Sequence, residues 1–151
     1  MVMHELPICP EEIAQILPHR FPFHLIDRVI STWGELAEGR LRALKNISAN
    51  DGTVRDGSLT GGALPSVLIL EAMAQAAGVL AHYCLHSMDN GQLCYFAGIQ
   101  RARFYGAVLP GDQLLLDVRL RRQRRNVVCF SGIATVRNTQ ICTADFMCAR
   151  Q

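Results

Sequence analysis

Between Pro65 and Leu85 the chain reads PSVLILEAMAQAAGVLAHYCL, a helix-length run rich in Ala and Leu with apolar residues on nearly every side. A helix of that kind has no solvent face, so the rest of the chain must cover it all round. Pro65 and Ser66 open it and few turn residues interrupt it, which predicts one helix over 65–85. At 151 residues the chain suits a single domain, 1–151, built on one core. The most apolar part, Val67 to Leu80, is broken by Glu71, Gln75 and Gly78, and reads as too short and too polar to cross a bilayer.

What can cover such a helix is legible on either side of it. PEEIAQILP, Pro10 to Pro18, predicts a short helix with Pro at its start and acids in its first turn. Residues 23–30 and 36–47 carry β-branched and leucine positions around a turn near TWGE, which predicts two strands. Residues 48–65 have no period and read as a long loop, a feature that often carries function. After a turn at SMDNGQ, four strand-like runs follow. In one of them Leu114, Leu116, Val118 and Leu120 alternate with Asp117, Arg119 and Arg121. A sheet with one apolar face, wrapped around an apolar helix, satisfies this order. The expected class is α+β, in the hot-dog arrangement of a long central helix inside a curved antiparallel sheet.

Charge and cysteine usage exclude several function classes. The formal net charge of +2 does not argue for nucleic acid. The positive residues are arginines apart from Lys45, and five of them fall within RLRRQRR, Arg119 to Arg125, a cluster read as a solvated strand end and turn or as a docking patch for an anionic partner. Six cysteines occur without a C-x-x-C pair, so they read as buried reduced thiols rather than metal ligands. No dinucleotide, phosphate-loop or metal-ligand spacing is present, and no cofactor or metal is expected. The acidic beginning MVMHELPICPEE lacks an apolar targeting segment, from which a cytoplasmic address is expected.

Several stretches together resemble the (3R)-hydroxyacyl-acyl-carrier-protein dehydratases of the FabZ type: ILPHRFPFHLIDRV (16–29), ALKNIS (43–48), VLILEAMAQAAGVLA (67–81), YFAGIQRARF (95–104), VLPGDQLLLDV (108–118) and MCAR (147–150). They run in order over nearly the whole chain. The resemblance implies the hot-dog fold and a site in which a helix carboxylate gives a proton to the departing hydroxyl while a loop histidine takes the proton alpha to the thioester carbonyl. Glu71 matches the carboxylate. The loop histidine has no counterpart: Asp56, Gly57, Ser58 and Leu59 stand where the family has Gly-His-Phe-Pro, and no histidine occurs between His24 and His82. His82 lies eleven residues along the helix from Glu71, about 16 Å at 1.5 Å per residue. His19 matches a family position outside the catalytic pair and is expected to be structural; His24 is expected in a strand. Asp56 is the nearby ionisable group that remains as a candidate base.

The resemblance further implies that the backbone amide at Ser66 polarises the thioester carbonyl, that Tyr95 and Phe96 line or gate an acyl tunnel, and that Arg101, Arg103, Arg122, Arg124 and Arg125 receive an acidic acyl carrier protein. It also implies a dimer whose site is shared between subunits, and hence a homodimer or a heterodimer with a histidine-bearing paralogue, with a trimer of dimers as the larger assembly open to either. A general acid or base is worth about 10²- to 10⁴-fold, so the loss of the histidine predicts impaired dehydration by the chain alone. Two other readings remain open: an acyl thioesterase that uses Glu71, and a non-catalytic carrier-protein-binding subunit of a heteromeric dehydratase.

Overall fold

A computed structural model describes residues 7–51, 62–85 and 94–150. The elements run α1 (Pro10–Ile16), β1 (Arg28–Val29), α2 (Trp33–Ala37), β2 (Arg40–Asn46), α3 (Ser66–Cys84), β3 (Cys94–Phe104), β4 (Gln113–Arg124), β5 (Val127–Val136) and β6 (Thr139–Arg150). The six strands form one antiparallel sheet in the order β1-β2-β4-β5-β6-β3. Register shifts at Leu120/Arg122 and Gln100/Arg103 mark irregularities of the kind that bend strands.

The alternation in β4 settles which face is inside. Leu114 and Leu116 are fully buried and Val118 nearly so, whereas Arg119 is exposed. They pack with Phe130 of β5 and Phe146 of β6 against Ala72, Met73, Ala76, Ala77 and Leu80 of α3. Each such large side chain contributes about 1.5–3 kcal/mol on burial, so this helix–sheet interface is the main source of stability. Gly132 in β5 faces Met73 of α3 at close range. A Cβ there would stand 2.7 Å from Met73 Sδ, so only glycine admits the methionine.

Three expectations are corrected. The strand predicted over 23–30 is two residues long, because residues 23–25 bond to α3 instead of to a neighbouring strand. The turn at TWGE is the helix α2: Thr32 Oγ1 accepts the Glu35 N–H at 3.2 Å and the Glu35 carboxylate accepts the Thr32 N–H at 2.7 Å. That reciprocal cap was present in the spacing Thr32-x-x-Glu35. Finally, with 19 residues and a mean hydropathy of 1.4, α3 is long and apolar enough to span a bilayer. Its burial against the sheet accounts for that apolarity in a core helix.

Candidate active site

Glu71 lies in the second turn of α3, and Gln75 follows one turn later on the same face. Gln75 is 1% exposed and uses its amide fully. Its Nε2 donates to Glu71 Oε1 at 2.9 Å and to the Phe23 carbonyl at 2.8 Å, while its Oε1 accepts the Leu25 N–H at 2.9 Å. One amide therefore orients the carboxylate and clamps residues 23–25 onto the helix. This is the reason a polar side chain interrupts the apolar run at that place.

The clamp brings the preceding residues over the helix. His19 Nε2 comes to 3.2 Å from Glu71 Oε1, with 34% and 35% of the two side chains exposed. Arg20 fixes the turn by donating through Nη1 to the carbonyls of Leu17 and His19, each at 2.8 Å. His19 Nδ1 and His24 Nε2 are buried without a partner among the described residues. Burial holds the His24 imidazole below its usual value, with Arg20, His19 and Lys45 adding to the effect and Asp27 opposing it. Both the burial and the neighbouring positive charges disfavour the charged form of the ring.

Lys45 closes the far side of the region. It is 5% exposed, and its Nζ stands 2.8 Å from Asp51 Oδ1. Burial works to raise the Asp51 carboxyl, but the hydrogen bonds from Lys45 and Ser48 outweigh it and leave the group below its ordinary value. This pair anchors the chain at the beginning of the long loop. Asp56, the candidate base, and the residues opposite the family's Gly-His-Phe-Pro segment lie outside the described residues.

The remaining candidates are spread over three places. Ser66 is the exposed first residue of α3, where backbone N–H groups have no partner within the helix. Five residues separate it from Glu71, about 7.5 Å of helix. Tyr95 and Phe96 lie on the edge strand β3, 50% and 45% exposed, and Phe96 stacks on Phe146 with ring centroids 6.0 Å apart. Arg122, Arg124 and Arg125 border an open groove of about 510 Å³ at the β4–β5 turn. The register carries Arg124 across Val127 and Ala149 to Tyr95. Arg101 and Arg103 are six and eight residues further along β3, roughly 20 to 26 Å away at strand spacing. The arginines therefore make two basic regions, and Arg101 is already engaged by Asp145 at 3.2 Å.

Residues 17–145 match the model of the FabA-like domain. The chain belongs to the FabA-like family. Within that family it is 47% identical to the 3-hydroxyacyl-[acyl-carrier-protein] dehydratase FabZ of Salmonella arizonae over 148 residues, 97% of this chain and 94% of the relative. The same identity and coverage hold for the FabZ of Salmonella newport. Among solved structures, the dehydratase heterocomplex ApeI:P from Xenorhabdus doucetiae superposes with a TM-score of 0.74 at 22% identity, over 98% of this chain and 93% of that one. The PaaI protein of E. coli superposes with a TM-score of 0.64 at 11% identity, over 93% and 89%. These likenesses establish the hot-dog fold of the FabA-like chain.

Two members of the site escaped the sequence reading. Gln75 had a signal, because Glu-x-x-x-Gln inside an apolar helix puts two polar groups on one face. His19 had none in spacing, since 52 residues and a chain reversal lie between it and Glu71.

Proposed function

We propose that this chain acts on 3-hydroxyacyl thioesters of an acyl carrier protein in fatty-acid or polyketide-type synthesis, removing water to leave the 2-enoyl thioester. The observation that carries the reading is Glu71: a partly exposed carboxyl on the core helix, with one oxygen held by Gln75 and His19 and the other without a hydrogen bond among the described residues. Glu71 gives its proton to the departing hydroxyl, and the Ser66 amide, at a helix start that favours negative charge, polarises the thioester carbonyl. Identity to curated FabZ dehydratases along nearly the full length supports the substrate class. Tyr95 and Phe96 line the acyl path, and the arginines at 101, 103, 122, 124 and 125 meet the acidic carrier. The protein works in the cytoplasm as a dimer through the β3 edge, with a trimer of such dimers as the larger assembly.

A second reading makes the dimer heteromeric. It is favoured by the absence of any histidine between His24 and His82, which leaves the loop without the residue that the family resemblance implies there. A histidine-bearing paralogue then supplies the missing group, in the manner suggested by a relative in fold, the dehydratase heterocomplex ApeI:P.

The test is hydration and dehydration of a short 2-enoyl / 3-hydroxyacyl thioester, followed by the ultraviolet absorbance of the conjugated thioester. Glu71→Gln is expected to cost about 10²- to 10⁴-fold in kcat. Undiminished turnover in that variant would remove Glu71 from the chemistry. Release of free thiol without enoyl formation would identify a thioesterase instead, and activity only after mixing with a histidine-bearing paralogue would select the heteromer.

A further inference from the structure

We infer that His19 is the second acid–base group of this site, so that one chain carries both proton-handling groups; the inference rests on the dehydratase reading above. His19 Nε2 and Glu71 Oε1 are 3.2 Å apart, and both side chains keep about a third of their surface open to solvent. The other ring nitrogen is buried and has no partner among the described residues, which leaves Nε2 as the atom that exchanges a proton. The ring is also held in position. Arg20 braces the His19 backbone, and the Gln75 clamp fixes residues 23–25 from the other side.

A carboxyl and an imidazole 3.2 Å apart are close enough to pass a proton from one to the other, and that is what the elimination needs. The hydroxyl and the acidic C–H of a 3-hydroxyacyl thioester sit on adjacent carbons, so two groups in hydrogen-bond contact can meet both when they lie on the same side. The neutral Nε2 takes the proton from the alpha carbon, and the electrons of that C–H bond form the double bond. The C–O bond breaks with its electron pair on oxygen, which takes the Glu71 proton and leaves as water. The imidazolium then returns its proton to the carboxylate across the 3.2 Å contact. The pair ends as it began, and the substrate has lost one water. No group from the 48–65 loop or from a second chain is consumed in this cycle.

The experiment compares wild type, His19→Gln, His19→Asn, Glu71→Gln and the double variant His19→Gln/Glu71→Gln, using a 2-enoyl thioester of N-acetylcysteamine and following absorbance. Gln and Asn keep an N–H to offer Glu71 but cannot take a proton. Either substitution is expected to lower kcat about 10²- to 10⁴-fold with KM changed less than about threefold. Because the two groups act as a unit, the double variant is expected to fall no further than the weaker single variant. The melting temperature identifies a variant that fails to fold, and the other substitution then decides. Wild-type turnover with His19→Gln or His19→Asn within about threefold of it would overturn the inference while leaving the dehydratase reading intact. A wild-type chain that binds acyl carrier thioesters but does not turn over also overturns it, in favour of a partner's histidine. A chain that neither binds nor turns over removes the dehydratase reading itself.

Discussion

Gln75, polar and 1% exposed, and Ile99, apolar and 42% exposed, each sit where the other's chemistry would ordinarily belong. They stand for two regions. Beneath residues 19–25 the protein buries an amide and, nearby, the Lys45–Asp51 ion pair, and satisfies them through bonds made within the chain. Along β3 it leaves Tyr95, Phe96, Ile99 and Phe104 between 42% and 50% exposed on an edge strand, and nothing among the described residues covers them. The contrast separates two kinds of incompleteness. The Gln75 amide and the Lys45–Asp51 pair are satisfied from inside one subunit, whereas the apolar edge is the side on which the proposed second subunit belongs.

The hardest blow to the inner region is Lys45→Met. It leaves the Asp51 carboxylate without its cation, at an expected cost of about 3–5 kcal/mol in denaturant unfolding. The pair also has a pH signature. The Asp51 carboxyl is held below its ordinary value of 3.8 in the folded chain, so its contribution is complete above that value and is lost as pH falls through the lower, folded one. Wild type is expected to lose this stability on acidification and Lys45→Met to show a shallower loss; parallel curves would take the ion pair out of the account. Gln75→Leu comes next. It strands the Leu25 N–H and the Phe23 carbonyl, at about 1–3 kcal/mol for each unsatisfied group, and thermal unfolding reads the change. A melting temperature equal to wild type would mean that the clamp is replaced, for example by water.

Ile99→Glu tests the other side of the comparison and is expected to change the stability of the single chain least, within about 0.5 kcal/mol. Its effect falls on assembly: sedimentation is expected to report the mass of one chain where wild type reports more. Should the variant keep the wild-type mass, the exposed edge is not the joining surface and the contrast drawn above collapses.

The fold was legible because its strongest signals are local. The run 65–85 is apolar on nearly every side, and the alternation from Leu114 to Leu120 names the inner side of β4, so helix inside sheet follows from hydrophobic period alone. The strand expected at 23–30 failed because its apolar residues are held by a distant side chain, Gln75, which no local pattern encodes. Glu71 was legible as a carboxyl out of place in an apolar helix. The contact with His19 was not, since it depends on how the chain reverses between Leu17 and Leu25, and that is set by hydrogen bonds from Arg20 and Gln75 rather than by any periodic feature.

Lys45 is the chain's only lysine, and its ammonium is sheltered at 7% exposure against Asp51. Thioesters acylate free amines without help from any enzyme, so a protein that handles them risks aminolysis at its own surface. Here the cationic side chains turned to solvent are guanidinium groups, which carry positive charge yet make poor nucleophiles. The acyl group can be held close to a positive surface without being captured by a side-chain amine.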